Sequence, residues 1–213
     1  SRFEDGYILS SDYSQIELRL AAVMSHDENM LNDFMHNVDI HAATSARIYN
    51  VDITDVTKDM RRHAKAVNFG ILYGMSAFGL AERLNISRTE AAQLIEQYFE
   101  KFPSIKDYIN QQIEFAQNHG YVETIMKRRR YLRNINSKNN NLRSFDQRNA
   151  VNAPIQGTAA DLIKIAMINI YRDLKNNNLK AKIILQVHDE LVLDVPLDEV
   201  EKVKEIVNKN MTT

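Results

Sequence analysis

Two carboxylates are the first residues of this sequence whose type and position could do chemistry. Asp12 follows a short β-prone run at 7–11, and Asp189 lies between two apolar runs near the end of the chain. Both are expected to be buried or nearly so, where an isolated carboxylate is costly unless a cation, a base or hydrogen-bond donors accompany it. The alternatives are a helix N-cap at Asp12 and an exposed turn at Asp189-Glu190.

The residue types favour a metal site built from oxygen ligands. The chain has no cysteine, and His41, His63 and His188 share no metal-ligand spacing. Mg²⁺ or Mn²⁺ held by carboxylates, a backbone carbonyl and waters fits better. Two carboxylates with two Mg²⁺ ions suit phosphoryl displacement, because one ion activates the attacking oxygen and the other holds the leaving group.

A second set of residues could bind a nucleoside triphosphate. Arg61, Lys65, Phe69 and Tyr73 follow one another at intervals of four. Each interval turns a helix by about 400°, so the side chains line one slanted stripe, first cationic and then aromatic. Cations can grip phosphates while rings face the sugar and base. The alternative is an ordinary amphipathic helix with its rings in the core and its cations reaching to solvent.

The neutral total charge hides a basic segment. The formal net charge is −1, yet residues 1–60 hold 4 basic and 11 acidic side chains, whereas residues 61–148 hold 15 and 8. The densest cationic stretch, 127–148, is either a contact for a phosphate backbone or a solvated basic loop. Its cations are Lys127, Arg128, Arg129, Arg130, Arg133, Lys138, Arg143 and Arg148, against Asp146 alone. Beside it, Arg148, Asn152 and Gln156 could hydrogen-bond to minor-groove edges or sugar oxygens.

Hydrophobic periodicity predicts the elements that must position these residues. Strands are expected at 7–11, 183–187 and 191–195, the last two as a hairpin with His188, Asp189 and Glu190 at its tip. A capping box at Ser87 and Glu90 and a helix stop at Gly120 are also expected. Helices are expected at about 15–24, 60–73, 76–84, 87–102, 104–118, 157–174 and 198–210.

This order of elements predicts an α+β fold, an antiparallel sheet with helices and a helical insertion at about 52–119. Its 213 residues suit one domain or two small ones. The absence of cysteine excludes structural disulfides, and no apolar run reaches the 18 residues of a membrane span. The first twenty residues do not have the pattern of a secretory signal.

Three segments together resemble the motifs of family A DNA polymerases, the bacterial DNA polymerase I group. Residues 12–19, DYSQIELR, resemble motif A, and residues 61–74, RRHAKAVNFGILYG, resemble motif B, the O-helix of the fingers. Residues 186–190, QVHDE, resemble motif C, and residues 152–161, NAPIQGTAAD, resemble the stretch between B and C. The motifs stand in the family's order, and the resemblance covers essentially the whole chain.

The resemblance implies a template-directed DNA-dependent DNA polymerase. Such an enzyme adds dNTPs to a primer 3′-hydroxyl by two-metal phosphoryl transfer, releases pyrophosphate, and serves DNA replication and repair. Asp12 and Asp189 would bind two Mg²⁺ ions, for which Mn²⁺ could substitute, with the main-chain carbonyl of Tyr13 as a further ligand. Glu190 would be an auxiliary carboxylate.

The resemblance also implies roles toward the incoming nucleotide. Arg61, Lys65 and His41 would contact the triphosphate, Lys65 would protonate the leaving pyrophosphate, and Gln15 would belong to the same binding site.

Three further positions would govern the sugar and base. Phe69 would stack near them and favour deoxy over dideoxy substrates. Tyr73 would occupy the template-base position in the open state, and Glu17, bonded to Tyr73, would be a steric gate against a ribose 2′-hydroxyl.

The implied partners are primer-template DNA and dNTPs, with no membrane, in a monomer located with the bacterial nucleoid in the cytoplasm. The implied DNA contacts are Arg128, Arg129, Arg130, Arg148, Asn152, Gln156, Gln186 and His188. The implied domains are a right-hand polymerase palm at 1–51 and 120–213, truncated at its C-terminus, and fingers at 52–119. Thumb and exonuclease domains are expected to be absent, and a piece without the thumb that grips duplex DNA can be inactive by itself.

Three other functions share some of these features. A single-subunit RNA polymerase-like palm is disfavoured by Glu17, and a non-catalytic DNA-binding remnant is disfavoured by the retained Asp12, Asp189 and Lys65. A metal-dependent nuclease would use the carboxylates but leaves the stripe at 61–73 unexplained.

Overall fold

The alternating residues near both ends of the chain form one antiparallel sheet. In the computed structural model, which describes residues 1–212, its strands are β1 (Gly6–Asp12), β4 (Lys182–Val187) and β5 (Glu190–Pro196), in the order β1-β5-β4. A second sheet is a small hairpin of β2 (Tyr121–Glu123) and β3 (Arg129–Tyr131). The prediction of an antiparallel sheet combined with helices is confirmed.

Nine α-helices connect the strands within residues 1–212. They are α1 (Ile16–Ser25), α2 (Glu28–Met35), α3 (Ile40–Tyr49), α4 (Lys58–Leu72), α5 (Ala77–Leu84), α6 (Arg88–Lys101), α7 (Pro103–His119), α8 (Asn140–Asn176) and α9 (Val200–Thr212). None of the helices in this part of the chain is both long enough and apolar enough to cross a membrane.

The chain divides into two compact units. The first holds residues 1–16 and the chain from 157 onward, and the second holds residues 17–156. These bounds differ from those of the predicted palm and fingers, which remain a prediction.

The core of the first unit lies between the sheet and two helices. Leu191, Leu193 and Val195 on the central strand β5 are almost fully buried. Ile163 and Ile170 of α8 and Val203 of α9 pack in the same cluster. Burial of such side chains stabilises the unit by roughly 1.5–3 kcal/mol each, which holds both ends of the chain in one sheet.

The second unit is helical with the small β2–β3 hairpin. Val67 of α4, Tyr98 of α6 and the following Phe102 are buried side chains of its interior. The predicted capping box is confirmed, with hydrogen bonds in both directions between Ser87 and Glu90. Gly120 ends α7 with a φ of +76°, as its position predicted.

The predicted start of the long helix at 157 was wrong. Helix α8 begins at Asn140 and continues through Pro154, although a proline inside a helix removes one hydrogen bond and costs about 3 kcal/mol. Pro154 and Ile155 are buried, and the packing of this segment outweighs that cost. The segment 127–148 is therefore not one loop, because it contains β3 and the first turns of α8.

The sequence reasoning also missed α2 and α3. Both helices have an aspartate N-cap, Asp27 for α2 and Asp39 for α3, whose side chain accepts main-chain hydrogen bonds. An aspartate immediately before an apolar periodic run is a recognised start signal and could have located them.

Candidate functional site

The carboxylates predicted to bind metal meet at one end of the three-stranded sheet. Asp12 is the last residue of β1 and lies opposite Glu190, the first residue of β5. The main-chain N–H of Tyr13 donates to the carbonyl of Asp189 over 3.2 Å. Strand pairing thus joins two segments that are far apart in sequence.

The expected burial of these carboxylates was wrong. Asp12 is exposed, and Asp189 and Glu190 are only partly covered, since the pair lies at a strand end and a turn. Three residues separate Asp12 from the first residue of α1, so Asp12 is not the helix N-cap. Glu190 belongs to β5, and the hairpin tip is His188 and Asp189.

Negative charge is concentrated at this end of the sheet. Partial desolvation, followed by the charges of Asp189 and Glu190, raises the pKa of Asp12 above its ordinary value. Glu190 also accepts a hydrogen bond from the Ser10 hydroxyl. A bound cation would relieve the repulsion between these carboxylates.

The donor set fits a hard divalent cation. It consists of carboxylate oxygens and main-chain carbonyls, which suit Mg²⁺, a cation usually held by one or two carboxylates together with waters and substrate phosphates. Within residues 1–212 no group of three or more His, Cys, Asp or Glu side chains could hold a metal by itself.

Three other predicted residues lie in the first unit. His188 is exposed with a φ of +53°, and its carbonyl accepts a hydrogen bond of 2.9 Å from the side chain of Gln186, on strand β4. Gln15, with a φ of +55°, precedes α1. A positive φ is uncommon for residues other than glycine and is a local strain of about 1–3 kcal/mol that surrounding structure must support.

In the second unit, α4 presents the predicted stripe to solvent. Arg61, Lys65 and Tyr73 are exposed and Phe69 is partly exposed, while Val67 and Ile71 on the other side of the helix are buried. The rings are therefore not ordinary core residues. The stripe leaves two cations and two aromatic side chains accessible on one face.

Arg61 is held by an acidic partner that the sequence reasoning did not select. Its guanidinium donates to Asp39 Oδ2 through Nε at 2.9 Å and Nη2 at 2.8 Å. The other carboxylate oxygen of Asp39 caps α3 by accepting from the N–H groups of His41 and Ala42. Partial burial tends to raise the pKa of Asp39. The hydrogen bonds from Arg61 and from the α3 main chain outweigh it and hold that pKa below its ordinary value.

His41 belongs to a buried polar network. The carbonyl of Ile40 accepts from the Thr44 hydroxyl at 2.7 Å, and the Thr44 oxygen accepts from Asn68 Nδ2 at 3.1 Å. Asn68 Nδ2 also lies 3.2 Å from His41 Nδ1. Asn68 and Thr44 are fully buried, and His41 is 2% exposed.

The network determines the tautomer of His41. The Thr44 hydroxyl donates to the Ile40 carbonyl at 2.7 Å, with a longer contact of 3.4 Å to Asn68 Oδ1. Asn68 Nδ2 can only donate, and it donates to Thr44 and His41. Nδ1 of His41 must then carry a lone pair, which places the ring proton on Nε2. Burial lowers the pKa of His41 to about 4; Asp39 opposes this shift, and Arg61 and Lys65 add to it.

The predicted hydrogen bond between Tyr73 and Glu17 is present. The Tyr73 hydroxyl, just beyond the end of α4, donates to a carboxylate oxygen of Glu17 on α1. This bond fixes the positions of both side chains in the second unit.

The residues Arg148, Asn152 and Gln156 lie at intervals of four on α8 and so share one side of that helix. Arg148 packs over Gly74, which has a φ of +66° and at which an added Cβ would lie 2.6 Å from Arg148 Cγ. Only glycine meets both conditions, so Gly74 sets the approach of Arg148 to the end of α4.

Arg128, Arg129 and Arg130 are exposed at the start of β3 and immediately before it. Arg129 donates to Glu123 at 2.9 Å. Arg130 pairs in register with Val122, on the opposite side of the hairpin from Arg129. The three arginines therefore do not form one surface.

Sequence reasoning missed three residues of this site: Asp39, Thr44 and Asn68. Asp39 had a usable signal, its position immediately before a helix. Asn68 and Thr44 had none, because their interactions join residues 24 and 27 positions apart along the chain.

Comparison with known proteins gives a consistent result. A family model described as DNA polymerase family A matches residues 2–213. A DNA polymerase I of Caldicellulosiruptor bescii is 53% identical over 209 residues, 98% of this chain and 25% of that protein. A DNA polymerase I of Geobacillus stearothermophilus is 50% identical over 207 residues, 97% of this chain and 24% of that protein.

A solved structure is also similar. It is the POL domain of Pol1 from M. smegmatis in complex with DNA primer-template and dNTP, with a TM-score of 0.94 and 41% sequence identity. The match covers 98% of this chain and 37% of that one. The chain thus spans about a quarter of the length of the curated relatives it matches.

Proposed function

This chain belongs to DNA polymerase family A, and we propose that it carries the nucleotidyl-transfer centre of a template-directed DNA polymerase. The substrates would be primer-template DNA and dNTPs, and the product a primer longer by one nucleotide, with release of pyrophosphate. The relatives' name and the DNA and dNTP in the similar solved complex support this assignment.

One observation carries the proposal: the exposed stripe of α4. Arg61 and Lys65 would bind the triphosphate, and Phe69, one turn further on, would cover the sugar and base. His41 would donate a hydrogen bond from Nε2 to the triphosphate, since its Nδ1 is already occupied. A nuclease has no need of such a stripe.

The carboxylates would serve the reaction through metal ions. Asp12, Asp189 and the carbonyl of Tyr13 would hold two Mg²⁺ ions, with Glu190 nearby. Bound there, Mg²⁺ would lower the pKa of the primer hydroxyl and neutralise charge on the phosphates. Lys65 would donate a proton from Nζ to the leaving pyrophosphate, and Arg61 would stabilise its charge.

Sugar selection would depend on Glu17 and Tyr73. The hydrogen bond from Tyr73 holds the Glu17 carboxylate in one place, where it would exclude a ribose 2′-hydroxyl. This distinguishes the proposal from an RNA polymerase-like palm. We expect dTTP to be incorporated in strong preference to UTP, and Glu17→Ala to reduce that preference; equal use of both by the wild type would favour the RNA polymerase alternative.

Contacts with DNA would come from both units. Arg148, Asn152 and Gln156 on α8, with Gln186 and His188 near the hairpin tip, would contact primer or template near the primer terminus. Arg128 and Arg130 would contact phosphates of the duplex. Participation in replication and repair on the bacterial chromosome is part of the same proposal.

Primer extension tests the assignment. The chain is incubated with a primed DNA template, Mg²⁺ and four dNTPs beside Asp189→Asn, and binding of a dNTP is measured in parallel. We expect extension that Asp189→Asn abolishes, and dNTP binding that Lys65→Ala weakens. A chain that neither extends the primer nor binds dNTP more tightly with Mg²⁺ contradicts the proposal for this stretch of the protein.

A further inference from the structure

Four aromatic side chains form a continuous surface where α7 meets the β2–β3 hairpin. Phe115 and His119, one turn apart on α7, stack with ring centroids 4.1 Å apart and planes within 18°. Tyr121 contacts Phe115, His119 and Tyr131 with centroid distances of 5.7, 6.1 and 5.8 Å. We call Phe115, His119, Tyr121 and Tyr131 the aromatic platform.

The platform is rigid and accessible. His119 Nδ1 bonds to the carbonyl of Phe115 at 2.9 Å, which fixes the stacked pair. Arg129 lies 4.3 Å from the centroid of the Tyr121 ring and is itself paired with Glu123. Tyr131 is 66% exposed, Phe115 is 36% exposed, and His119 is also exposed. The Tyr131, Phe115 and His119 side chains are therefore accessible to solvent, while Phe115 and His119 cover one ring face of each other and Arg129 covers one face of Tyr121.

The chain segment that carries the platform is rich in cations. The charge of Arg129 is compensated by its salt bridge to Glu123, and the Glu123 carboxylate also forms a salt bridge of 3.4 Å with Lys127. Arg133 is exposed two residues after Tyr131, Arg130 is exposed on the opposite side of the hairpin, and Glu123 is the sole acidic residue at positions 115–145, with Glu114 directly before Phe115. A partner with both flat apolar groups and negative charge would complement this surface.

We propose that the aromatic platform binds unpaired nucleotides of a DNA strand, bases on the rings and phosphates on the surrounding cations. Base–aromatic stacking tolerates any sequence, since every base has a π-face, and a basic surround tracks the backbone. Duplex DNA would contribute only phosphates, because its bases are already stacked on one another. The proposal rests on the proposed function only in taking the strand to be DNA.

The platform residues also pack the β2–β3 hairpin against α7, so the experiment must distinguish a loss of this packing from a loss of DNA binding. The test therefore compares two ligands on the same protein: an oligo-dT and an abasic oligonucleotide of equal length and charge, each measured by fluorescence anisotropy without dNTP or metal. The variants are Tyr131→Ala, Phe115→Ala and Tyr131→Phe. Tyr171→Ala, at an exposed tyrosine on α8 in the other unit, is the matched control.

We expect the wild type to bind oligo-dT more tightly than the abasic strand. Tyr131→Ala and Phe115→Ala should each weaken oligo-dT binding about five- to tenfold with little effect on the abasic strand, while Tyr131→Phe and Tyr171→Ala keep the preference. An equal affinity of the wild type for both strands, or a preference that survives both alanine variants, overturns the proposal. Binding of neither strand also overturns it and would favour a protein partner for this surface.

The platform proposal can be contradicted without contradicting the proposed polymerase activity, and the reverse also holds. Base preference is read without nucleotide or primer, whereas the polymerase assignment is read from extension and dNTP binding. If the wild type extends primers but shows no preference for oligo-dT over the abasic strand, only the platform proposal is contradicted. If it shows that preference but neither extends primers nor binds dNTP, only the polymerase assignment is contradicted.

Discussion

At the scale of single residues, the nucleotide binding proposed for the second unit would depend on how a few polar groups are held before a ligand binds. Arg61 is tied to Asp39, and His41 is tied to Asn68. In each pair the partner occupies part of the side chain's hydrogen-bonding capacity: Nε and Nη2 of Arg61, and Nδ1 of His41. The nucleotide binding proposed for α4 would therefore depend on α3 as well as on the stripe.

Replacing Asp39 tests the first pair. Asp39→Asn keeps a side chain that caps helices well but removes the charge that competes for Arg61. Because both partners of the pair are nearly half exposed, we expect dNTP binding to tighten by only up to about fivefold. Asp59→Asn, which removes the exposed partner of Arg62 one turn earlier, is the control and should leave dNTP binding unchanged; equal effects in both variants would contradict a specific role for Asp39.

The lowered pKa of His41 predicts a pH dependence of stability. In the unfolded chain a histidine titrates near 6.5, so as the pH falls toward 4 the unfolded state binds a proton that the folded state does not. Folding stability that depends on a neutral His41 is therefore present at pH 7 and is lost between pH 6.5 and 4. Urea unfolding at pH 7 and 4.5 should show the wild type losing about 2 kcal/mol more than His41→Gln; a parallel loss in both proteins would refute the shift.

At the scale of elements, the positions of the stripe residues depend on where α4 begins and ends. Thr57 caps its start, and at its other end Tyr73 and Gly74 turn the chain. Gly74 combines a positive φ with the close approach of Arg148, so the end of α4 and the middle of α8 are positioned together. A change at this one glycine should therefore alter both helices.

Alanine substitutions at Gly74 and Gly120 distinguish the cost of backbone strain from the cost of steric crowding. Gly74→Ala meets a positive φ and a Cβ position 2.6 Å from Arg148, while Gly120→Ala meets a positive φ in open space. We expect Gly120→Ala to lower the free energy of unfolding by about 1 kcal/mol and Gly74→Ala by about 2 kcal/mol or more, measured by urea titration. Equal losses would mean that Arg148 moves aside without cost.

At the scale of the whole molecule, the chain connects its two compact units at two points. It leaves the first unit after Ile16 and returns at Gly157, so the first unit combines both ends of the chain. The predicted metal-binding residues fall in the first unit, and the predicted nucleotide-binding residues fall in the second, except Gln15. The net charge of −1 likewise conceals an acidic beginning and a basic middle.

The basic middle predicts how binding of duplex DNA responds to salt. Removing the side chain that neutralises one phosphate makes the slope of log K against log salt shallower by about 0.9. Replacing Arg128 and Arg130 together by glutamine should therefore flatten the slope by about 2. The control is Lys202→Gln with Lys204→Gln, two exposed cations of α9 that already pair with Glu205 and Glu201, and it should not change the slope. An unchanged slope in the arginine variant would exclude these residues from the duplex contact.

The sequence by itself determined the elements that depend on near neighbours. The strands around Asp12 and Asp189, helix α4 with its stripe, the capping box at Ser87 and the stop at Gly120 all follow from period, capping and turn chemistry within a few residues. The membership of DNA polymerase family A was likewise visible in three short segments in order.

The tertiary structure alone decided everything that joins distant residues. Only the fold shows that β5 is the central strand, that Asp12 is exposed, and that α8 continues through Pro154. The bonds of Arg61 to Asp39 and of Asn68 to His41, and the aromatic platform, also arise from packing between separate elements. The physical reason is that local propensity acts over a few residues, whereas pairing and burial are set by cooperative contacts among residues far apart in the chain.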